Sequence, residues 1–152
     1  GVAVMAVMAV MAVVPALASA DVVTKRFGRE TAFIQIVESC WFDAKRADVP
    51  ASCHGFLDAA ATVLREHPEL LRIAVEGHAS ATGDAATPMD RFNLSLRRAF
   101  AVRDALIARG VARARLTLIA YGSDQPLAGG TATAAQVKNR RVMFKLLEVQ
   151  RD

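Results

Sequence analysis

Residues 71–110 read LRIAVEGHASATGDAATPMDRFNLSLRRAFAVRDALIARG, and this stretch decides the fold. Leu71 to Glu76 alternates apolar and polar residues, the pattern of a half-buried strand. Gly77 to Thr87 is a run of Gly, Ser, Thr and Ala and reads as a loop. Thr87-Pro88-Met89-Asp90 then places an N-cap, a proline at the first helical position and an acid at the third. Phe92, Leu96, Ala99, Val102 and Leu106 fall on one helical stripe, and Gly110 closes the helix as a C-cap. The segment is therefore strand, loop and long capped helix.

Similar signals extend on both sides. Upstream, Thr31 to Val37 (TAFIQIV) has the β-branched and aromatic content of a strand. Glu38 to Pro50 is irregular, with Asp43 and Asp48 suited to turns. Ser52 to His67 carries apolar residues at helical spacing, and Pro68 ends it. Downstream, Arg115 to Ala120 (RLTLIA) reads as a strand. Tyr121 to Thr133 is a loop with Gly122, Pro126, Gly129 and Gly130. A short helical turn at Ala134 to Lys138 leads to a last strand, Arg141 to Glu148 (RVMFKLLE). The order β-α-β-α-β-β predicts an α+β sandwich, with two main helices on one face of a four-stranded mixed sheet.

Gly1 to Ala20 is different in kind: apolar, Ala-rich and without a charge. Ala18-Ser19-Ala20 before Asp21 fits a signal-peptidase site, with Pro15 as a break ahead of it. The usual basic start is absent, so the native N-terminus is expected to lie upstream or to have been trimmed. A membrane anchor is the alternative, since twenty residues just span a bilayer core of about 30 Å. A packed core helix is the third. Either of the first two carries the rest of the chain across a membrane. Residues 21–30 read as a linker and 31–152 as the domain. No Cys directly follows the Ala-rich stretch, so no lipoprotein acylation site is indicated.

All the charge lies after Ala20, with 19 Lys and Arg against 15 Asp and Glu, a net of +4. Seven arginines fall between Arg91 and Arg115, opposed only by Asp90 and Asp104. That favours an anionic partner, unless the run is simply a solvated helix face. Cys40 and Cys53 are the only cysteines; in an exported chain they read as a disulfide. Alternatively they are two buried thiols, since Cys53 shares a face with Phe56, Ala60 and Val63. No metal-ligand cluster, nucleophile–His arrangement or paired catalytic carboxylates appear, so neither enzyme chemistry nor a cofactor is expected. One Trp and one Tyr, together with the expected export signal, argue against nucleic acid.

Five motifs, in order, carry a resemblance. They are Gly77-His78-Ala79-Ser80-Ala81-Thr82-Gly83, Leu94-Ser95-Leu96-Arg97-Arg98-Ala99, Gly110-Val111 through Arg115-Leu116, Gly122-Ser123-Asp124-Gln125-Pro126, and Asn139-Arg140-Arg141-Val142. With Phe42-Asp43-Ala44-Lys45-Arg46-Ala47-Asp48-Val49-Pro50 and Glu66-His67-Pro68-Glu69-Leu70, the chain from about 33 to 148 resembles the OmpA-like domains of OmpA, Pal and MotB. The resemblance implies a non-catalytic peptidoglycan-binding protein in the periplasm or envelope of a Gram-negative-type bacterium, associated with its outer or inner membrane. In that family an Asp takes the ammonium and an Arg the carboxylate of the diaminopimelate side chain, and a bidentate Arg suits the carboxylate.

Carried over residue by residue, the ligand arginine is Arg98, with Arg140 and Arg141 lining or bracing the site. The family's Asp falls on Ser80 and its Asn on Arg91. The Gly-Arg pair before Asn139 falls on Ala135 and Gln136. The loop between Gly83 and Leu94 is longer than the common spacing. Loss of the Asp removes a counter-charge worth roughly 1.5–3 kcal/mol, and Asp84 in the longer loop is the expected replacement, Asp90 being taken up by the helix N-terminus. His78 is expected to pack at the strand end. Two functions follow: a wall-binding module, or a degenerate module that has lost the wall and serves as an interaction subunit of an envelope complex. The second reading also allows protein partners, and a membrane contact through residues 1–20 if they are uncleaved.

Overall fold

The computed structural model describes residues 22–27, 31–36, 40–130 and 132–151. The signal or anchor reading of residues 1–20 lies outside them. Among the described residues, six strands and three α-helices follow in the order β1 (Val22–Phe27), β2 (Thr31–Ile36), β3 (Cys40–Trp41), α1 (His54–Glu66), β4 (Leu70–Gly77), α2 (Pro88–Ala108), β5 (Leu116–Ala120), α3 (Thr133–Asn139) and β6 (Arg141–Val149). The α+β class holds, and the four-stranded sheet has the order β3-β6-β4-β5. β4 runs parallel to β5, and β6 is antiparallel to both β3 and β4. No helix among the described residues is long and apolar enough to cross a membrane.

The first strand of the sheet departs from expectation. Thr31–Ile36 is a strand, but it pairs antiparallel with Val22–Phe27 as a separate two-stranded sheet. The sheet edge is instead the two-residue Cys40–Trp41, inside the stretch expected to be irregular. A period-two pattern announces a strand, but its partner is a long-range choice that the pattern does not encode.

The core forms where α1 and α2 cover the sheet. Phe56, Leu57, Ala60, Val63 and Leu64 of α1 meet Val75 of β4, Val142 and Phe144 of β6, and Val102 and Leu106 of α2. Phe56 stacks on Phe144, with centroids 5.4 Å apart. A disulfide joins Cys40 to Cys53 and ties the edge strand to the start of α1.

The N-cap of α2 is as expected: Thr87 Oγ1 accepts the Asp90 N–H at 3.1 Å, with Pro88 in the first turn. Gly110 follows the helix with φ +91°. Its buried face is rotated from the predicted stripe, however. Ala99, Val102 and Leu106 are buried as expected, but Phe92 (43% exposed) and Leu96 (36%) turn outward, and Leu94, Ser95 and Arg98 take the interior. The cause is a close approach: a Cβ on Gly77 would lie 1.9 Å from the Ser95 carbonyl oxygen. Only glycine lets the start of α2 lie this tightly on the end of β4.

Candidate functional site

That approach holds Arg98 against the loop leaving β4. Its side chain is wholly buried, as is that of Asp84. The two form a bidentate pair, Nη1 to Oδ2 at 2.9 Å and Nη2 to Oδ1 at 2.8 Å. The remaining guanidinium protons go to main-chain carbonyls: Nε to Arg46, Nη1 to His78 and Nη2 to Asp43. All five N–H donors of Arg98 are therefore engaged. The Phe42 ring lies 5.4 Å from its Cζ and adds a cation–π contact.

Asp84 is equally complete. Oδ1 also accepts the Lys45 N–H at 2.9 Å, and Oδ2 the Ser80 N–H at 2.7 Å. Burial pushes its carboxyl up, but the bonds from Arg98, Lys45 and Ser80 and the Arg98 charge outweigh burial and hold it below the ordinary carboxylate value. Lys45 pays for its bond with a left-handed backbone, φ +63°. The pair thus clamps three segments together: the loop before α1, the loop after β4, and α2.

Of the residues named from sequence, Arg98, Asp84 and Ser80 come together. Asp84 meets the arginine, however, where the sequence suggested it for a ligand ammonium. Ser80 contributes its main chain, and its hydroxyl accepts the Thr82 N–H at 3.4 Å. Arg91 braces the long loop: Nη1 donates to the carbonyls of Ala85 and Ala86, and Nε to Ser123 Oγ. Arg140 donates from Nε to the Phe42 carbonyl, on the leading-loop side. Arg141 lies among other partners. Its Nε faces Met143 Sδ, its Nη2 the Gln125 carbonyl, and its Nη1 has no partner among the described residues. His78 is buried and stacks on Tyr121, with centroids 5.0 Å apart, as its strand-end packing role predicts. Burial, then the Arg141 charge, lowers its pKa to about 3, so it is neutral at ordinary pH.

Above the clamp opens a cleft of about 630 Å³, lined by Lys45, Asp84, Ala85, Ala86, Asp90, Asn93, Leu94 and Arg97. Sequence reasoning did not single out Lys45, Asn93 or Arg97 individually. Arg97 was visible only as one of seven arginines, and Lys45 carries no signal without its backbone conformation. Asn139 was also missed as a brace; its side chain bonds Leu127 and Ala128 and fixes the loop before α3.

The OmpA family profile matches residues 41–140. The chain belongs to the OmpA family. The family is non-catalytic. Among curated relatives, the chain is 32% identical over 115 residues to the peptidoglycan-associated lipoprotein of Rhizobium meliloti, covering 74% of this chain and 62% of that protein. It is 30% identical over 118 residues to the lipoprotein of the same name from Pseudomonas aeruginosa, covering 76% and 66%. The match thus spans under two thirds of the first relative's length. Among solved structures, the peptidoglycan-associated lipoprotein of Burkholderia pseudomallei superposes with TM-score 0.65 at 30% identity, covering 70% of this chain and 88% of that one. The periplasmic domain of Helicobacter pylori MotB superposes with TM-score 0.67 at 21% identity, over 86% and 81%, and shares the OmpA-like fold.

Proposed function

We propose that this domain associates non-covalently with peptidoglycan in the bacterial envelope, through the end of the fold where α2 begins and β4 ends. Its relatives named peptidoglycan-associated lipoprotein support this reading. The observation that carries it is the open cleft at that end of the fold, lined by Lys45, Asp90, Asn93 and Arg97 above the Asp84–Arg98 pair. The family's acid position holds neutral Ser80, yet an acid–arginine couple is rebuilt from the longer loop at the floor of an open cleft. The envelope location, in the periplasm of a Gram-negative-type cell, belongs to the same proposal. So does a disulfide-compatible compartment, which suits Cys40–Cys53.

The test is sedimentation of the full chain with purified peptidoglycan, with and without a competing diaminopimelate-containing stem peptide. Co-sedimentation that the peptide suppresses is the expected result. A folded chain that stays in the supernatant would sink the proposal. One observation favours a second reading, an interaction subunit that has lost the wall: Arg98 has no N–H left for a ligand carboxylate. That reading predicts no sedimentation and retention in an envelope complex.

A further inference from the structure

We infer that ligand recognition in this chain has moved from the buried arginine to the rim of the cleft, where Lys45, Arg97, Asp90 and Asn93 select a peptide carrying two carboxylates for each ammonium. The inference rests on the wall-binding reading and specifies how that binding is achieved. Its premise is the closure of the floor. Arg98 and Asp84 satisfy each other and the surrounding main chain, and both side chains are wholly buried. A ligand carboxylate reaching Arg98 must first displace a bidentate internal carboxylate that two backbone N–H groups also hold, so the closed pair serves as scaffold.

The rim is the opposite case. Among the described residues, the side chains of Lys45, Asp90, Asn93 and Arg97 have no hydrogen bond or ion pair, and all four line the same cleft. With the floor pair neutral as a unit, two cations and one carboxylate leave the cleft with one net positive charge. Complementarity then calls for a ligand of net charge −1 that still bears an ammonium. Lys45 and Arg97 take two carboxylates, the Arg97 fork suiting one bidentately. Asp90 takes the ammonium, and the Asn93 amide can pair with a peptide group. Ala85, Ala86 and Leu94 give an apolar wall, and the volume lies in the roughly 300–1,000 Å³ range of small-ligand sites. A stem-peptide segment with its alanyl amine and its diaminopimelate main-chain carboxyl both in amide linkage has this charge pattern, one glutamate carboxylate, one diaminopimelate carboxylate and one ammonium; amidating the glutamate leaves one carboxylate and a net charge of zero.

The experiment titrates the full chain with a synthetic N-acetyl-alanyl-γ-glutamyl-diaminopimelate peptide whose diaminopimelate main-chain carboxyl is capped as an amide, and with its glutamate-amidated analogue, by calorimetry, beside peptidoglycan sedimentation. The variant is Lys45→Asn with Arg97→Gln; asparagine tolerates the left-handed backbone at 45, and neither side chain touches the floor pair. About a tenfold loss of affinity on amidation, and at least as much in the variant, is expected for charge-assisted bonds. Wild-type chain that sediments while the variant sediments equally would overturn the inference alone. Tighter peptide binding by Asp84→Asn would do the same, because the ligand would then be entering at Arg98. Wild-type chain that fails to sediment removes the wall-binding reading and this inference with it.

Discussion

The Asp84–Arg98 pair is best weighed by what the loss of one partner leaves behind. A buried ion pair adds little net stability, because desolvation offsets attraction, but one charge stranded in the interior is costly. Asp84→Ala leaves the Arg98 guanidinium buried with two N–H groups unmatched, and frees the Ser80 and Lys45 N–H groups as well. A loss of about 3–5 kcal/mol in urea-unfolding free energy is expected. Because the Asp84 pKa is lowered in the folded chain, its contribution is present above the unfolded carboxyl value and fades as pH falls through the folded one. The gap between wild type and Asp84→Asn should therefore narrow in acid. His78 acts at higher pH. Its pKa is lowered from 6.5 to about 3, so below 6.5 the unfolded chain binds a proton that the folded chain refuses. Stability falls with pH across that window, by roughly 3 kcal/mol at about pH 4. His78→Phe keeps the stack on Tyr121 and should flatten that slope when unfolding is measured at both pH values.

At the scale of elements, local chemistry was legible and long-range geometry was not. The Thr87 cap lies within four residues of what it caps, so the sequence carries the whole interaction. Thr87→Ala should cost about 1 kcal/mol, read as a shift in the unfolding midpoint. The Cys40–Cys53 pairing was an inference from count and compartment, and the structure realises it. Closing a loop with a separation of 13 residues stabilises by roughly 3 kcal/mol in the chain-entropy model, so Cys40→Ser with Cys53→Ser should lower the melting temperature markedly. By contrast, nothing local told Thr31–Ile36 to pair with Val22–Phe27, or made Cys40–Trp41 the sheet edge. The rotation of α2 was hidden for a related reason. Phe92 and Leu96 fit an apolar stripe by periodicity, but Gly77 and the buried pair fix which side of the helix turns inward.

At the scale of the whole molecule, the candidate site was half legible. Motif order pointed to Arg98, and loop length pointed to Asp84 as the substitute acid. What the chain could not reveal was that the substitute faces the arginine, because that depends on three segments converging: the loop around Arg46, the loop at Ser80–Asp84 and α2. This closure has a consequence for binding. If the ligand is held at the rim, its partners Lys45, Asp90 and Arg97 are charges open to solvent, lining a cleft beside a buried and neutral floor. Interactions between such charges are screened over a Debye length that shrinks from about 10 Å at 0.1 M salt to about 3 Å at 1 M. Peptidoglycan association by the full chain should therefore weaken severalfold between low and high salt, while the Asp84–Arg98 clamp, shielded from ions, keeps the unfolding free energy nearly constant. Sedimentation and urea unfolding over one salt series measure both. A ligand gripped at a buried Arg98 would give the opposite pattern: binding little changed by salt, and dependent on opening the clamp.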